Sequence, residues 1–117
     1  MMPISSKASS AIVTGAGSGI GRAIAMRLAE DGYAVLVNDL SAERAQAVAD
    51  EITAAGGTAK GEAGDVSSEA DTARIYQAAV SAFSHPVLLV NCAGIVHQAL
   101  FEDLAVADFD RMYKIAS

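Results

Sequence analysis

Short, continuous apolar segments alternate with segments of helical periodicity along this chain, and this alternation constrains the fold more than any other feature. Apolar runs lie at Ser10–Thr14, 34–37 and 87–90. A run that is apolar at every position is typical of a strand covered on both faces, as in parallel sheets. A weaker strand is predicted at 58–65, where small residues alternate with charged ones, and that alternation places it at an edge of the sheet.

Helical periodicity occupies the segments between these runs. Apolar residues three or four positions apart predict four helices, at about 19–31, 42–55, 69–83 and from 106 onward. The expected buried face of the first helix comprises Ile20, Ala23, Ile24 and Leu28. Serine favours the N-cap position, so Ser41 is predicted to cap the second helix and Ser67 or Ser68 the third.

The element order is therefore β-α-β-α-β-α-β-α, which right-handed crossovers convert into a doubly wound, Rossmann-type parallel α/β sheet. We expect the strand order 3-2-1-4. The strand at 87–90 would then lie at an edge, where unpaired backbone groups favour self-association, so a homo-oligomer is predicted. At 117 residues the chain is at most one domain. Such sheets bind ligands at the carboxyl ends of their strands, and the distinctive motifs of this sequence lie there.

Composition excludes several classes of function. The net charge is −6, from 8 Lys and Arg against 14 Asp and Glu, which disfavours binding to nucleic acid or to an anionic membrane. No apolar run reaches the roughly 20 residues of a membrane span, and the first ten residues lack a signal-peptide pattern. A single cysteine, Cys92, excludes an internal disulfide, and with two distant histidines it disfavours a metal site. We therefore expect a cytoplasmic protein without a bound metal.

A glycine-rich segment, Thr14-Gly-Ala-Gly-Ser-Gly-Ile-Gly21, joins the first predicted strand to the first predicted helix. Glycines allow the backbone to approach a diphosphate closely, and the free N–H groups at the start of the helix bind anions. The spacing differs from G-x-G-x-x-G, and no Lys-Ser/Thr pair follows as in a Walker A loop. A glycine-rich turn without a ligand is the alternative, but clustered glycines cost backbone entropy unless a close approach requires them.

Three further motifs follow the other predicted strands. Asp39, 18 positions after Gly21, is suited to accept hydrogen bonds from the ribose hydroxyls of an adenosine, and its charge repels a 2′-phosphate. No Arg or Lys is adjacent to it in the sequence, which favours NAD over NADP. Gly64-Asp65-Val66 could hold the adenine, and Asn91-Cys92-Ala93-Gly94 leaves room for a ribose. Alone, each motif is also compatible with an ordinary turn.

Together these motifs resemble the classical short-chain dehydrogenase/reductase family. Its pattern is T-G-x-x-x-G-[IL]-G, an acidic residue after the second strand in NAD users, D-V after the third strand and N-N-A-G after the fourth. The resemblance extends from about residue 11 to 115, with one departure: Cys92 stands where the family has its second Asn. It implies a partial NAD(P)-binding domain over residues 1–117. The NAD site that it implies is formed by Gly15, Ser18, Gly19, Ile20, Gly21, Asp39, Leu40, Asp65, Val66, Asn91, Cys92, Ala93 and Gly94.

The catalytic residues of that family, a Ser and a Tyr-x-x-x-Lys motif, have no counterpart in this sequence. The residues four positions after its three tyrosines are Val37, Val80 and Ser117. For a complete relative the resemblance implies hydride transfer between NAD and a secondary alcohol or ketone, with acetoin, butanediol or 3-oxoacyl compounds as candidate substrates. We assign no catalytic residue and expect no turnover from these residues alone.

Two other functions fit parts of the pattern. A non-catalytic NAD-binding or interaction module would keep the dinucleotide site without the chemistry. An S-adenosylmethionine-dependent methyltransferase also combines a G-x-G-x-G loop with acidic residues after the second and third strands, and Gly15-x-Gly17-x-Gly19 fits that loop. Against a methyltransferase, Thr14 stands where an acidic residue usually precedes the loop, and the segment 91–94 has no counterpart there.

Overall fold

The structure is a computed structural model and describes residues 9–93. In that part of the chain four strands alternate with three helices: β1 (Ser10–Thr14), α1 (Gly19–Glu30), β2 (Ala34–Asp39), α2 (Ala42–Ala54), β3 (Thr58–Ala63), α3 (Glu69–Ala82) and β4 (Pro86–Asn91). Each of these elements lies where the sequence predicts one. The predicted fourth helix, from residue 106, lies outside the described residues.

The four strands form one sheet in the order β3-β2-β1-β4, with every neighbouring pair parallel. This order confirms the predicted doubly wound topology, in which the winding direction reverses between β1 and β4. β1 and β2 are buried at every position because they are central and covered on both faces. β3 lies at an edge, as predicted, and none of its residues is fully buried.

Helices cover the sheet in two layers, with α1 and α2 on one face and α3 on the other. Successive side chains of a strand point to opposite faces, so β1 and β2 contribute to both layers. The first layer includes Val13, Val37, Val48 and Ile52. The second includes Ile12, Leu36, Ile75 and Ala79. No helix in the described part of the chain is long and apolar enough to cross a membrane.

The face that α1 turns to the sheet differs from the predicted one. Ile20 is 76% exposed and Ala23 is also exposed, whereas the other two predicted residues are half-buried. The buried residues of α1 are Gly21 and Ala25, one turn apart. A Cβ at position 21 would overlap the carbonyl oxygen of Gly15. The prediction is wrong for Ile20 and Ala23, whereas Ile24 and Leu28 do pack against the core. Close backbone packing, which requires small residues, decides which side of α1 faces inward.

Candidate functional site

The loops that follow the four strands meet at the carboxyl end of the sheet. The backbone N–H of Ala16 donates to the carbonyl oxygen of Asn38 at 2.8 Å, and that of Gly64 donates to the carbonyl oxygen of Asp39 at 3.0 Å. A cleft of about 200 Å³ opens between these loops. It is lined by Gly15, Asn38, Asp39, Leu40, Arg44, Gly64, Asp65, Val66 and Ala93.

The cleft brings together six of the site residues predicted from the sequence: Gly15, Asp39, Leu40, Asp65, Val66 and Ala93. The structure places Ser18 immediately before α1 and Gly19, Ile20 and Gly21 in its first turn. Asn91 ends β4 and Cys92 follows it. Gly94 lies outside the described residues.

The glycine-rich segment passes from β1 into α1 through a conformation that glycine adopts readily. Gly15 has a φ of +62° and Gly19 a φ of +60°. A Cβ on Gly15 would lie 3.0 Å from the carbonyl oxygen of Cys92 and 3.1 Å from the backbone nitrogen of Ala93. The start of the segment is therefore packed against the end of β4, so its first glycine is required by the fold itself.

The N-terminus of α1 has no side-chain cap. Ser18 occupies the N-cap position with extended backbone, but its side chain makes no capping hydrogen bond, and the first turn contains no acidic residue. In α2 the Ser41 hydroxyl accepts a hydrogen bond from the Arg44 N–H at 3.2 Å, and in α3 the Ser68 hydroxyl accepts one from the Asp71 N–H at 3.2 Å. The first N–H groups of α1 can therefore bind an external anion.

The Asp39 carboxylate ends β2 beside the glycine-rich segment and is 8% exposed. Its Oδ1 accepts a hydrogen bond from the backbone N–H of Gly17 at 3.1 Å. Its Oδ2 accepts from the backbone N–H of Ser41 at 3.0 Å and from Nε of Arg44 at 3.3 Å. A carboxylate has about four acceptor positions, so three donors orient this group and leave capacity for a ligand hydroxyl.

Gly17 and Arg44 take part in this arrangement, although neither is among the predicted site residues. A Cβ on Gly17 would lie 2.6 Å from Cγ of Asp39, so only glycine fits beside the carboxylate. Arg44 is five positions from Asp39 in sequence, but the first turn of α2 brings its side chain back. The absence of Arg or Lys next to Asp39 in the sequence therefore does not keep a cation away from it in the fold. The serine cap followed by an arginine three positions later was the available signal.

Buried Asn38 holds the end of β3 against the end of β2. Its Nδ2 donates to the carbonyl oxygen of Glu62 at 3.0 Å and to that of Gly64 at 3.3 Å. The loop after β3 is thereby held at a set distance from Asp39. Asn38 thus positions two walls of the cleft. This role has no local sequence signal, because it can be predicted only when the pairing of β2 with β3 is known.

Buried Thr14 links the end of β1 to the end of β4. Its Oγ1 donates to Oδ1 of Asn91 at 2.8 Å and accepts from the backbone N–H groups of Cys92 and Ala93 at 3.1 and 3.3 Å. This fixes the two strands on either side of the point where the winding reverses.

Burial raises the pKa of the Cys92 thiol, which keeps the thiol protonated and weakly nucleophilic at neutral pH.

The Asp65 side chain supports the start of α3 as well as lining the cleft. Its Oδ1 accepts hydrogen bonds from the N–H and the hydroxyl of Ser67 at 2.9 and 2.7 Å. Its backbone N–H donates to Oδ2 of Asp71 at 3.0 Å. The next residue, Val66, is buried among the apolar residues under α3. A turn before a helix therefore accounts for part of this motif.

The fold is a Rossmann-type sheet, and comparisons with known proteins identify its family. The family model of the short chain dehydrogenases matches residues 9–117. The chain is 40% identical over 105 residues to the 2,5-dichloro-2,5-cyclohexadiene-1,4-diol dehydrogenase of Sphingobium indicum, covering 90% of this chain and 42% of that protein. It is 38% identical over 106 residues to a cyclohexanol dehydrogenase of Acinetobacter, with the same two coverages of 90% and 42%.

Similar solved structures support the same family assignment. The crystal structure of hydroxysteroid dehydrogenase from Escherichia coli matches with a TM-score of 0.79 and 29% identity, over 87% of this chain and 50% of that one. A short chain dehydrogenase from Mycobacterium avium gives a TM-score of 0.79 and 33% identity, over 87% and 48%. The chain therefore belongs to the short chain dehydrogenase family, as its motifs predict. It spans about two fifths of the length of the curated relatives it matches.

Proposed function

We propose that this chain binds NAD, forming the adenosine and diphosphate part of the cofactor site of a dehydrogenase that acts on a secondary alcohol or ketone. Membership of an oxidoreductase family that typically uses nicotinamide dinucleotides supports the cofactor class. The observation that carries the proposal is the uncapped start of α1 lying next to the oriented Asp39 carboxylate.

The start of α1 fits a diphosphate. Ser18 and the backbone N–H groups of Gly19, Ile20 and Gly21 would bind its oxygens, because these donors have no capping side chain. The same turn brings no carboxylate that would repel the anion. The exposed Ile20 side chain would cover the ligand from the solvent side.

The cleft beside it fits an adenosine. Asp39 would accept hydrogen bonds from the ribose hydroxyls, since it lines the cleft and its three donors leave acceptor capacity unused. Leu40 is 71% exposed and would pack on the adenine ring, with Asp65 and Val66 on the other wall of the same cleft.

The loop after β4 would guide the nicotinamide half of the cofactor. Asn91, Cys92 and Ala93 are held by Thr14, and Ala93 reaches the cleft. Gly94 is proposed to continue this surface on the strength of the sequence motif. When bound, the cofactor supplies hydride transfer, whereas the residues of this chain bind and orient it.

Secondary alcohols or ketones are proposed as substrates of the whole enzyme, because the named relatives include dehydrogenases of a cyclic diol and of cyclohexanol. A Tyr-x-x-x-Lys motif does not occur in these 117 residues, so we expect cofactor binding without turnover. A cytoplasmic location and self-association stay predictions from the sequence.

Calorimetric titration of the chain with NAD tests the proposal. We expect binding, and we expect Asp39→Ala to weaken it about tenfold, since a hydrogen bond to a charged group contributes on the order of 1.5–3 kcal/mol. Asp50→Ala is the matched control, because Asp50 is an exposed carboxylate of α2 that accepts a hydrogen bond from Gln46 Nε2 at 2.9 Å. Equal losses in both variants, or absence of NAD binding, would contradict the proposal. Binding of S-adenosylmethionine instead of NAD would support the methyltransferase alternative.

A further inference from the structure

Arg44 adds to the cleft a positive charge that the proposed function does not use. Its Nε lies 3.3 Å from Oδ2 of Asp39, and its side chain is 60% exposed. Within residues 9–93 its terminal NH₂ groups donate to no protein acceptor. Arg44 also lines the same cleft as Asp39. The guanidinium is therefore held at the ribose end of the proposed site with donors still facing solvent.

Asp39 occupies a position that is otherwise built to bind an anion. The three donors to its carboxylate are the backbone N–H of Gly17, the backbone N–H of Ser41 and the guanidinium of Arg44. Loop N–H groups combined with an arginine are a common way to bind phosphate. The carboxylate of the protein thus fills a pocket whose donors could also hold a phosphate.

We propose that Arg44 determines how strongly this site discriminates between NAD and NADP, an inference that rests on the proposed binding of a dinucleotide. At the adenosine ribose Asp39 repels a 2′-phosphate, whereas Arg44 attracts one from the same side. With both side chains present, the loss of affinity for a 2′-phosphate is smaller than Asp39 alone would cause. The site prefers NAD but accepts NADP as a weaker ligand, because the cation next to Asp39 offsets part of its repulsion.

A purely structural role for Arg44 makes a different prediction. If Arg44 only holds the Asp39 side chain in place, then its removal weakens the binding of NAD and NADP by the same factor. If Arg44 contacts the 2′-phosphate, its removal weakens NADP alone. The ratio of the two affinities therefore separates the two roles.

The test is calorimetric titration of NAD and of NADP into the wild-type chain, Arg44→Gln, Arg44→Lys, Asp39→Ala and the double variant. We expect Arg44→Gln to lower NADP affinity about tenfold, as for the loss of one charge-assisted hydrogen bond, and to change NAD affinity less than about twofold. Arg44→Lys should restore part of the NADP affinity. Asp39→Ala should raise NADP affinity, and the double variant should lose that gain. Arg27→Gln controls for the loss of one charge, because Arg27 pairs with Asp31 on the surface of α1.

Two results would overturn the inference, and they are distinguishable. If the wild-type chain binds NAD and Arg44→Gln leaves the NAD-to-NADP affinity ratio unchanged, Arg44 is not a determinant of specificity while the proposed function stands. If the wild-type chain binds neither dinucleotide, both proposals fail. Thermal unfolding of each variant without ligand confirms that the variants compared are folded.

Discussion

The three helices begin at the same edge of the sheet, yet α1 starts differently from α2 and α3. A serine hydroxyl caps each of the latter, and their first turns carry Glu43 in α2 and Glu69 and Asp71 in α3. Ser18 makes no such bond, and no acid lies in the first turn of α1. In α2 and α3 a side chain thus satisfies one of the first N–H groups, whereas α1 leaves its first N–H groups available to a ligand.

Asp39 supplies to the glycine-rich segment the acidic group that α1 itself lacks. It comes from β2, and its Oδ1 accepts from the N–H of Gly17 at 3.1 Å. Because this carboxylate belongs to a neighbouring strand, it can serve the segment and a ligand at once. In place of a cap of its own, the start of α1 therefore relies on close backbone packing and on a carboxylate from a neighbouring strand.

The largest effect is expected where α1 depends on backbone packing. Gly21→Ala should lower the free energy of unfolding by about 3 kcal/mol, the upper end for overpacked sites, because its Cβ would overlap the Gly15 carbonyl oxygen. Gly19→Ala is the matched control: no atom lies within 4 Å of its Cβ, but its φ of +60° costs an alanine about 1 kcal/mol. Urea unfolding measures both, and equal losses would contradict a packing role for Gly21.

The difference between α1 and the two capped helices can be tested by replacing each N-cap serine. Ser41→Ala and Ser68→Ala should each cost about 1 kcal/mol, because each serine hydroxyl accepts a hydrogen bond from an N–H of its helix. Ser18→Ala should cost close to nothing in the absence of ligand, since its side chain caps no N–H group. Chemical denaturation of the three variants measures the difference. A Ser18→Ala loss as large as the other two would remove the distinction between the helices.

Local signals account for what the sequence predicts well. Apolar runs, serine caps and glycines report on their own segments, which is why the seven described elements are confirmed. The strand order follows from the element order and the handedness of the crossovers. Asp39 could also be placed at the cleft, because the carboxyl ends of parallel strands share one edge. These inferences need no knowledge of where individual side chains point.

Contacts between loops and the rotation of a helix have weaker local signals. Arg44 reaches Asp39 because the first turn of α2 folds back, and in the sequence only the serine cap with an arginine three positions later indicates this cation. The apolar spacing predicts Ile20 on the inward face of α1, but the close approach of Gly21 to Gly15 leaves Ile20 exposed. In both cases distances between segments, rather than the character of one segment, determine the outcome.

The smallest effect concerns Arg22, the fourth residue of α1, where a base is unfavourable at the positive end of the helix dipole. It forms a two-bond ion pair with Glu51 of α2, at 3.0 and 2.8 Å. The hydrogen bond from Arg22 lowers the pKa of the Glu51 carboxyl. Because the folded pKa lies below the unfolded one, the pair stabilises the fold at neutral pH, and that contribution is lost as the pH falls through the folded pKa.

Glu51→Gln should therefore lower stability slightly near neutral pH and have no effect once the pH is below the lowered folded pKa, where the carboxyl is protonated in both states. Arg22→Gln should give the same pH profile, and the double variant should add little to either single change because both remove one interaction. Denaturant unfolding across this pH range measures the profile, and high salt should reduce it because both side chains are exposed. Additive losses from the two single variants would contradict a direct interaction between Arg22 and Glu51, because independent sites add and coupled ones do not.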